Sequence, residues 1–137
     1  MYEQEIQIRV RYADTDQMGY VYYGNYAAYY EVARVESFRT LGYAYKKLEE
    51  EGVMMPVIEL KSKFHQPAKY DDLLTVKVRV PEYPRARIRY EYEIFNEAGT
   101  LLNSGETTLV FIHMKTNKPT RPPSIIDKLF GPYFGKH

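Results

Sequence analysis

The 137-residue sequence contains no cysteine, no tryptophan and only three histidines. Without cysteine there can be no disulfide, no thiolate zinc ligand and no thiol nucleophile. The histidines, at positions 65, 113 and 137, have no metal-ligand spacing, and no metal site is expected. Charge of one sign is also missing. Nineteen basic against eighteen acidic side chains leave a net +1, far from the basic excess of a nucleic-acid binder. No apolar run approaches the roughly 20 residues of a membrane span. The opening Met1-Tyr-Glu-Gln-Glu-Ile-Gln-Ile alternates acidic and apolar residues, whereas a secretory leader needs basic and then apolar blocks. There is no Gly-x-Ser-x-Gly elbow for a serine nucleophile and no glycine loop for a phosphate.

With 45% hydrophobic and 27% charged residues, the chain fits one globular domain spanning residues 1–137, expected in the cytoplasm. Fifteen tyrosines stand out. Tyrosine pairs a large apolar body with a polar tip and suits strands, interfaces and cleft rims.

Period-two alternation predicts strands. In residues 5–12, Ile6, Ile8, Val10 and Tyr12 face one way and Glu5, Gln7, Arg9 and Arg11 the other. The pattern returns at Ile58, Leu60, Ser62 and Phe64, then at Leu74, Val76, Val78 and Val80, then at Ile88, Tyr90, Tyr92 and Ile94. Asn96-Glu-Ala-Gly99 reads as a hairpin turn into a last strand around 107–114, apolar on both faces. Between the first two strands, 25–41 has helical spacing: Tyr26, Tyr29, Tyr30, Ala33, Ser37 and Leu41 form a stripe. Asn25 suits an N-cap and Gly42 a C′ position. Ala27, Ala28, Val32, Val35 and Phe38 leave so little polar surface that the helix is expected to be largely buried. Glu31 and Glu36, each three residues before an arginine, read as helix ion pairs with Arg34 and Arg39. Short helices follow at 44–51 and at 124 to about 130. The order is α+β, one long helix packed into a concave antiparallel sheet. A helix with so little polar surface calls for a second copy of the chain as cover.

The most unusual segment joins the first strand to that helix: Arg11-Tyr-Ala-Asp14-Thr-Asp16-Gln-Met-Gly19-Tyr-Val21-Tyr22-Tyr23-Gly24-Asn25-Tyr26. It sets two carboxylates close to a helix N-terminus, where unpaired backbone N–H groups carry partial positive charge. Such an end polarises a carbonyl oxygen, and a carboxylate beside it can serve as nucleophile or general base in acyl transfer. Taken on spacing alone, ordinary turn and capping roles are the favoured account of Asp14 and Asp16.

This run resembles the signature of the hotdog-fold acyl-CoA thioesterases of the hydroxybenzoyl-CoA thioesterase family, a branch that includes Tol–Pal-associated acyl-CoA thioesterases. Val57-Ile-Glu59-Leu and Pro67-Ala-Lys69-Tyr70-Asp71-Asp72-Leu-Leu-Thr-Val76 resemble the family's second and third strands and the turn between them. The resemblance covers about residues 3–115. It implies a hotdog fold and hydrolysis of an acyl-CoA to a free acid and CoA. Asp16 is implied as the catalytic carboxylate, the Tyr23 backbone N–H as the donor to the thioester carbonyl, and Asp14 as a loop anchor. Gly19, Val21 and Tyr26 are implied around the substrate. Where many Tol–Pal-associated members have histidine this chain has Tyr23, which keeps a backbone donor and removes a side-chain proton-transfer role.

No separate cofactor is implied, coenzyme A being part of the substrate, and an acyl-carrier-protein thioester is the other candidate partner. For the CoA phosphates, Arg85, Arg87 and Arg89, spaced by two, and Lys63 offer cationic contacts. A solvated face paired with Glu91 and Glu93 accounts for the same arginines equally well. A homodimer or homotetramer is expected. Two rivals share the fold: a hydroxyacyl-thioester dehydratase, disfavoured because no histidine lies near the helix start in sequence, and a non-catalytic acyl-thioester binding module.

Overall fold

The computed structural model describes residues 1–135; Lys136 and His137, including the third histidine weighed above, lie outside the described residues. In chain order the elements are β1 (Tyr2–Arg9), α1 (Asn25–Thr40), α2 (Tyr45–Glu50), β2 (Val53–Met54) and β3 (Val57–Phe64), followed by β4 (Leu73–Val80), β5 (Arg87–Phe95), β6 (Leu101–Val110), β7 (Ile112–His113), β8 (Lys118–Pro119) and α3 (Ser124–Phe130). Short 3₁₀ turns occupy Tyr12–Asp14 and Gly131–Phe134. The five long strands form one sheet in the order β1-β4-β5-β6-β3, every neighbour antiparallel. The fold is α+β, with α1 lying across the inner face of that sheet. Among the described residues no helix is long and apolar enough to cross a membrane.

The alternation read in β4 and β5 is realised fully. Leu74, Val76, Val78, Val80, Ile88, Tyr90, Tyr92 and Ile94 are all buried. One stripe of α1 covers them through Tyr26, Tyr29, Tyr30, Ala33, Ser37 and Phe38. The ring of Tyr30 stacks on Tyr92 at 4.2 Å between centroids, and its hydroxyl bonds Ser62 Oγ at 2.9 Å and Asn103 Oδ1. Gly105 makes this approach possible. A Cβ there would stand 2.6 Å from the Lys61 carbonyl oxygen and 2.8 Å from the Tyr30 ring, distances that side-chain carbons do not adopt.

Four expectations are corrected. The first strand ends at Arg9, and the chain turns through Tyr12–Asp14, leaving Tyr12 78% exposed. Asn25 is the first residue of α1 and not its cap: Gly24 holds the cap position, and Asn25 Nδ2 donates instead to the Asp14 carbonyl at 2.8 Å. The last long strand runs Leu101–Val110, with β7 beyond it. Finally, α1 buries one stripe only; Ala27, Ala28 and Val32 remain exposed in the single chain. The same holds for β3, an edge strand along which Val57, Ile58, Leu60 and Phe64 are 42–52% exposed. Its alternation marks a strand that the chain itself leaves half uncovered.

Candidate active site

Asp14 is the buried anchor of the loop between β1 and α1. Its Oδ2 accepts the Arg11 backbone N–H at 3.0 Å and the Tyr29 hydroxyl at 3.0 Å, and its Oδ1 accepts Arg11 Nη2 at 2.9 Å. Its carbonyl accepts Tyr22 N–H at 2.9 Å as well as Asn25 Nδ2. Burial alone would raise the Asp14 carboxyl. The hydrogen bonds and charge of Arg11, with the Tyr29 hydroxyl, outweigh it and hold the group below the usual carboxylate range. Burial, and then the Asp14 charge, push the Tyr29 phenol up, so it stays a donor. Both oxygens of Asp14 are committed to structure.

Asp16 is arranged differently. Residues 15–21 fold into a small hairpin closed by the Thr15–Val21 bridge and by Asp16 N–H to Tyr20 O at 2.8 Å, and Val21 N–H to Ala68 O at 2.8 Å ties it to the segment after β3. Gly19 turns the tip at φ +79°, a left-handed conformation that glycine adopts without steric cost. Asp16 Oδ1 accepts the N–H groups of Met18 at 2.9 Å and Tyr20 at 3.3 Å. No described residue bonds Oδ2. The two amide bonds therefore hold the carboxylate in one orientation and leave an oxygen open.

Asp16, Val21, Tyr23, Tyr26, Phe64 and His65 are among the walls of a cavity of about 300 Å³. The hairpin delivers Asp16 and Val21, the turn before α1 delivers Tyr23, the first turn of α1 delivers Tyr26, and the end of β3 delivers Phe64. Among the described residues the backbone N–H groups of Tyr23 and Gly24 meet no acceptor, as the open N-terminus of a helix requires. The Tyr23 ring is 67% exposed and leans on Tyr22 at 4.7 Å between centroids. One cavity thus has among its walls Asp16, with one carboxylate oxygen unbonded, and Tyr23 and Tyr26 at the start of a 16-residue helix, the positive end of its dipole.

The other candidates lie elsewhere. Gly19 shapes the hairpin without lining the cavity. Lys63 borders a separate groove on the outer sheet face with Arg79, Glu91 and Glu93. Arg85 precedes β5 and sits over the Tyr83 ring at 5.8 Å, and Arg87 is exposed where β5 starts. Arg89 pairs with Glu82 at 2.8 Å, Glu91 at 2.9 Å and Glu106 at 3.0 Å. The structure therefore gives Arg89 the ion-paired, outward-facing surroundings that were one of its two accounts.

Sequence reasoning missed His65 and Phe64 as neighbours of Asp16. They are 49 and 48 positions away and are brought there by the end of β3 and the segment after it, which docks on the Asp16 hairpin through the Tyr20–Lys69 bridge and the Val21 N–H to Ala68 O bond. The His65 ring bonds Ser104 Oγ at 2.9 Å. Among the described residues no group of three or more His, Asp or Glu side chains gathers as a metal site.

Residues 10–130 match the thioesterase-like superfamily. The chain belongs to that family. It is a hotdog-fold thioesterase. The acyl-CoA thioester hydrolase YbgC of Escherichia coli is 32% identical over 119 residues, 87% of this chain and 89% of that protein. A chloroplast acyl-acyl carrier protein thioesterase, ATL2 of Arabidopsis thaliana, is 31% identical over 136 residues, 97% of this chain and 71% of that protein. Among solved structures, a DHNA-CoA thioesterase from Staphylococcus aureus superimposes with a TM-score of 0.86 at 38% identity, covering 98% of this chain and 88% of that one.

Proposed function

We propose that this thioesterase hydrolyses acyl-CoA with Asp16 as the reacting carboxylate and the Tyr23 backbone N–H as oxyanion donor. The supporting observation is that Asp16, with one carboxylate oxygen unbonded, and Tyr23, whose backbone N–H has no acceptor among the described residues, line one cavity. A thioester carbonyl directed at those amides gains stabilisation as negative charge develops on its oxygen. Two routes follow. Asp16 Oδ2 bonds the carbonyl carbon, the C–S bond breaks to release CoA thiolate, and water then hydrolyses the mixed anhydride. Alternatively Asp16 takes a proton from water, whose oxygen bonds the same carbon before the thiolate leaves. A single turnover in H₂¹⁸O tests the first route: water attacking the anhydride at Asp16 Cγ puts label into Asp16, which the second route never does.

The active form we propose is a homo-oligomer built on β3. That strand carries an unpaired backbone edge and exposed Val57, Ile58, Leu60 and Phe64, and an open apolar edge invites pairing with a second copy. Phe64 and Val57 mark its two ends. An antiparallel pair would set the Asp16 cavity of one protomer near the Val57 end of its partner. We read the compartment as the cytoplasm, where acyl-CoA is available.

The test is thiol release from short-chain, long-chain and aromatic acyl-CoAs and their carrier-protein counterparts. Asp16→Asn should lower kcat by on the order of 10²–10⁴ with melting temperature and particle mass unchanged. A variant as fast as the parent would remove Asp16 from the chemistry. Tight binding of a thioester with no turnover of any would establish a binding module instead.

A further inference from the structure

A second cavity, of about 620 Å³, lies between α1, α2 and the inner face of β5 and β6. Its reference point on α1 is Arg34, eight residues beyond Tyr26 and so about 12 Å further along the helix axis. The ion pair expected between Glu31 and Arg34 is absent. Whereas Arg39 does pair with Glu36 at 3.3 Å, Arg34 turns inward and donates from Nη1 to the Tyr92 hydroxyl at 3.1 Å. That hydroxyl is shared with Thr107 Oγ1 at 2.6 Å. Among the described residues no carboxylate lies within ion-pair distance of Arg34, although Glu31 and Glu49 stand on the cavity's borders.

The wall holds a second unmatched donor. Tyr90 is fully buried in the sheet, and its hydroxyl has no hydrogen-bond partner. Burial drives that phenol well above its ordinary range, so it remains a proton donor. The rest of the lining is mixed: Phe38, Val57 and Leu109 are apolar, while Arg39 and Lys46 add positive charge and Glu31 and Glu49 negative charge. A buried donor without an acceptor is costly, and the Arg34 guanidinium, half-buried and outside ion-pair distance of Glu31 and Glu49, keeps donor capacity toward the cavity. Both donors are satisfied if an oxygen anion on an apolar body occupies the space.

We propose that this cavity binds an apolar carboxylate, its body against Phe38, Val57 and Leu109 and its oxygens on the Arg34 guanidinium and the Tyr90 hydroxyl. Two sources share this chemistry: a free carboxylic acid, or the far end of an ω-carboxyacyl thioester reacting at a neighbouring site. Neither Asp16 nor the Tyr23 amide takes part, so binding here and hydrolysis there can fail separately.

Titration calorimetry of the whole protein with 4-phenylbutyrate and with 4-phenylbutanol, its uncharged counterpart, provides the test. The acid should bind at least tenfold more tightly than the alcohol, as expected for a charge-assisted hydrogen bond. Arg34→Met should abolish that difference, Arg34→Lys should retain part of it, and Tyr90→Phe should weaken the acid alone by several fold. Equal binding of acid and alcohol by the parent would overturn the assignment. So would a discrimination that survives both Arg34→Met and Tyr90→Phe in proteins with the parental melting temperature.

Comparing kcat/KM for adipyl-CoA and hexanoyl-CoA then separates the sources. An adipyl preference lost in Arg34→Met assigns the site to the acyl terminus; no preference, with acid binding intact, assigns it to free acid. Arg34-dependent acid binding in a protein that hydrolyses no member of the acyl-CoA and carrier-protein panel would refute the hydrolase mechanism and uphold the cavity assignment.

Discussion

Replacing Asp14 by alanine isolates the support beneath the reacting loop. The substitution removes three acceptors at once: for the Arg11 backbone N–H, for its guanidinium and for the Tyr29 hydroxyl. Arg11 has a side chain 77% exposed, so water replaces its lost contact and the ion pair itself contributes little. Tyr29 is buried at 5% exposure, and its hydroxyl would be left without an acceptor at about 1–3 kcal/mol. Adding the loss of order in residues 11–14, the expected destabilisation is about 2–3 kcal/mol. For a domain of this size that corresponds to a fall of roughly 8–12 °C in Tm.

The pH dependence has a definite sign. A carboxyl held below its unfolded value stabilises the fold above that value, about 3.9, and the contribution fades as pH falls through the folded value. Parent and Asp14→Ala should therefore differ fully at pH 7 and converge in strong acid. Thermal melts across pH 2.5–7, followed by circular dichroism, measure this. A double mutant with Tyr29→Phe removes the orphaned hydroxyl and should cost less than the sum of the single changes. Strict additivity, or an Asp14→Ala melt within about 2 °C of the parent at pH 7, would refute the reasoning.

At Gly105, alanine would push its Cβ into the Lys61 carbonyl and the Tyr30 ring; a loss of at least about 1–3 kcal/mol is expected by denaturant unfolding. At the β3 edge, Leu60→Lys places a charge in the apolar strip proposed to face a second copy. Its particle mass by light scattering should fall to that of the single chain at micromolar concentration, with secondary structure unchanged.

Where burial follows from the local pattern, the sequence and the structure agree. The alternation in β4 and β5 placed each inward side chain correctly, and the hairpin at 96–99 closes as its Asn and Gly imply, with Thr100 N–H donating to Asn96 Oδ1 at 2.9 Å. Asp14 as anchor was implied by family resemblance and is seen directly in its bonds. Tyr12 misled because its alternation continued past the residue where the backbone turns. Asn25 misled because an Asn before a helix serves as a cap or as a tether to a preceding carbonyl, and only the position of Asp14 decides which. Phe64 and His65 were hidden from any local reading because their proximity to Asp16 depends on the docking of the segment after β3 against the 15–21 hairpin.

The order of strands and helix, the inward faces of the central strands and the loop that carries two carboxylates into a helix start were determined by the sequence alone. Those features depend on neighbours within a few residues, where side-chain periodicity and backbone geometry act directly. The tertiary structure decided which Asp oxygen stays open, which arginine turns inward, and that β3 leaves its apolar edge uncovered. Each of these is settled by contacts between segments far apart in the chain, where packing and hydrogen-bond competition override the local pattern.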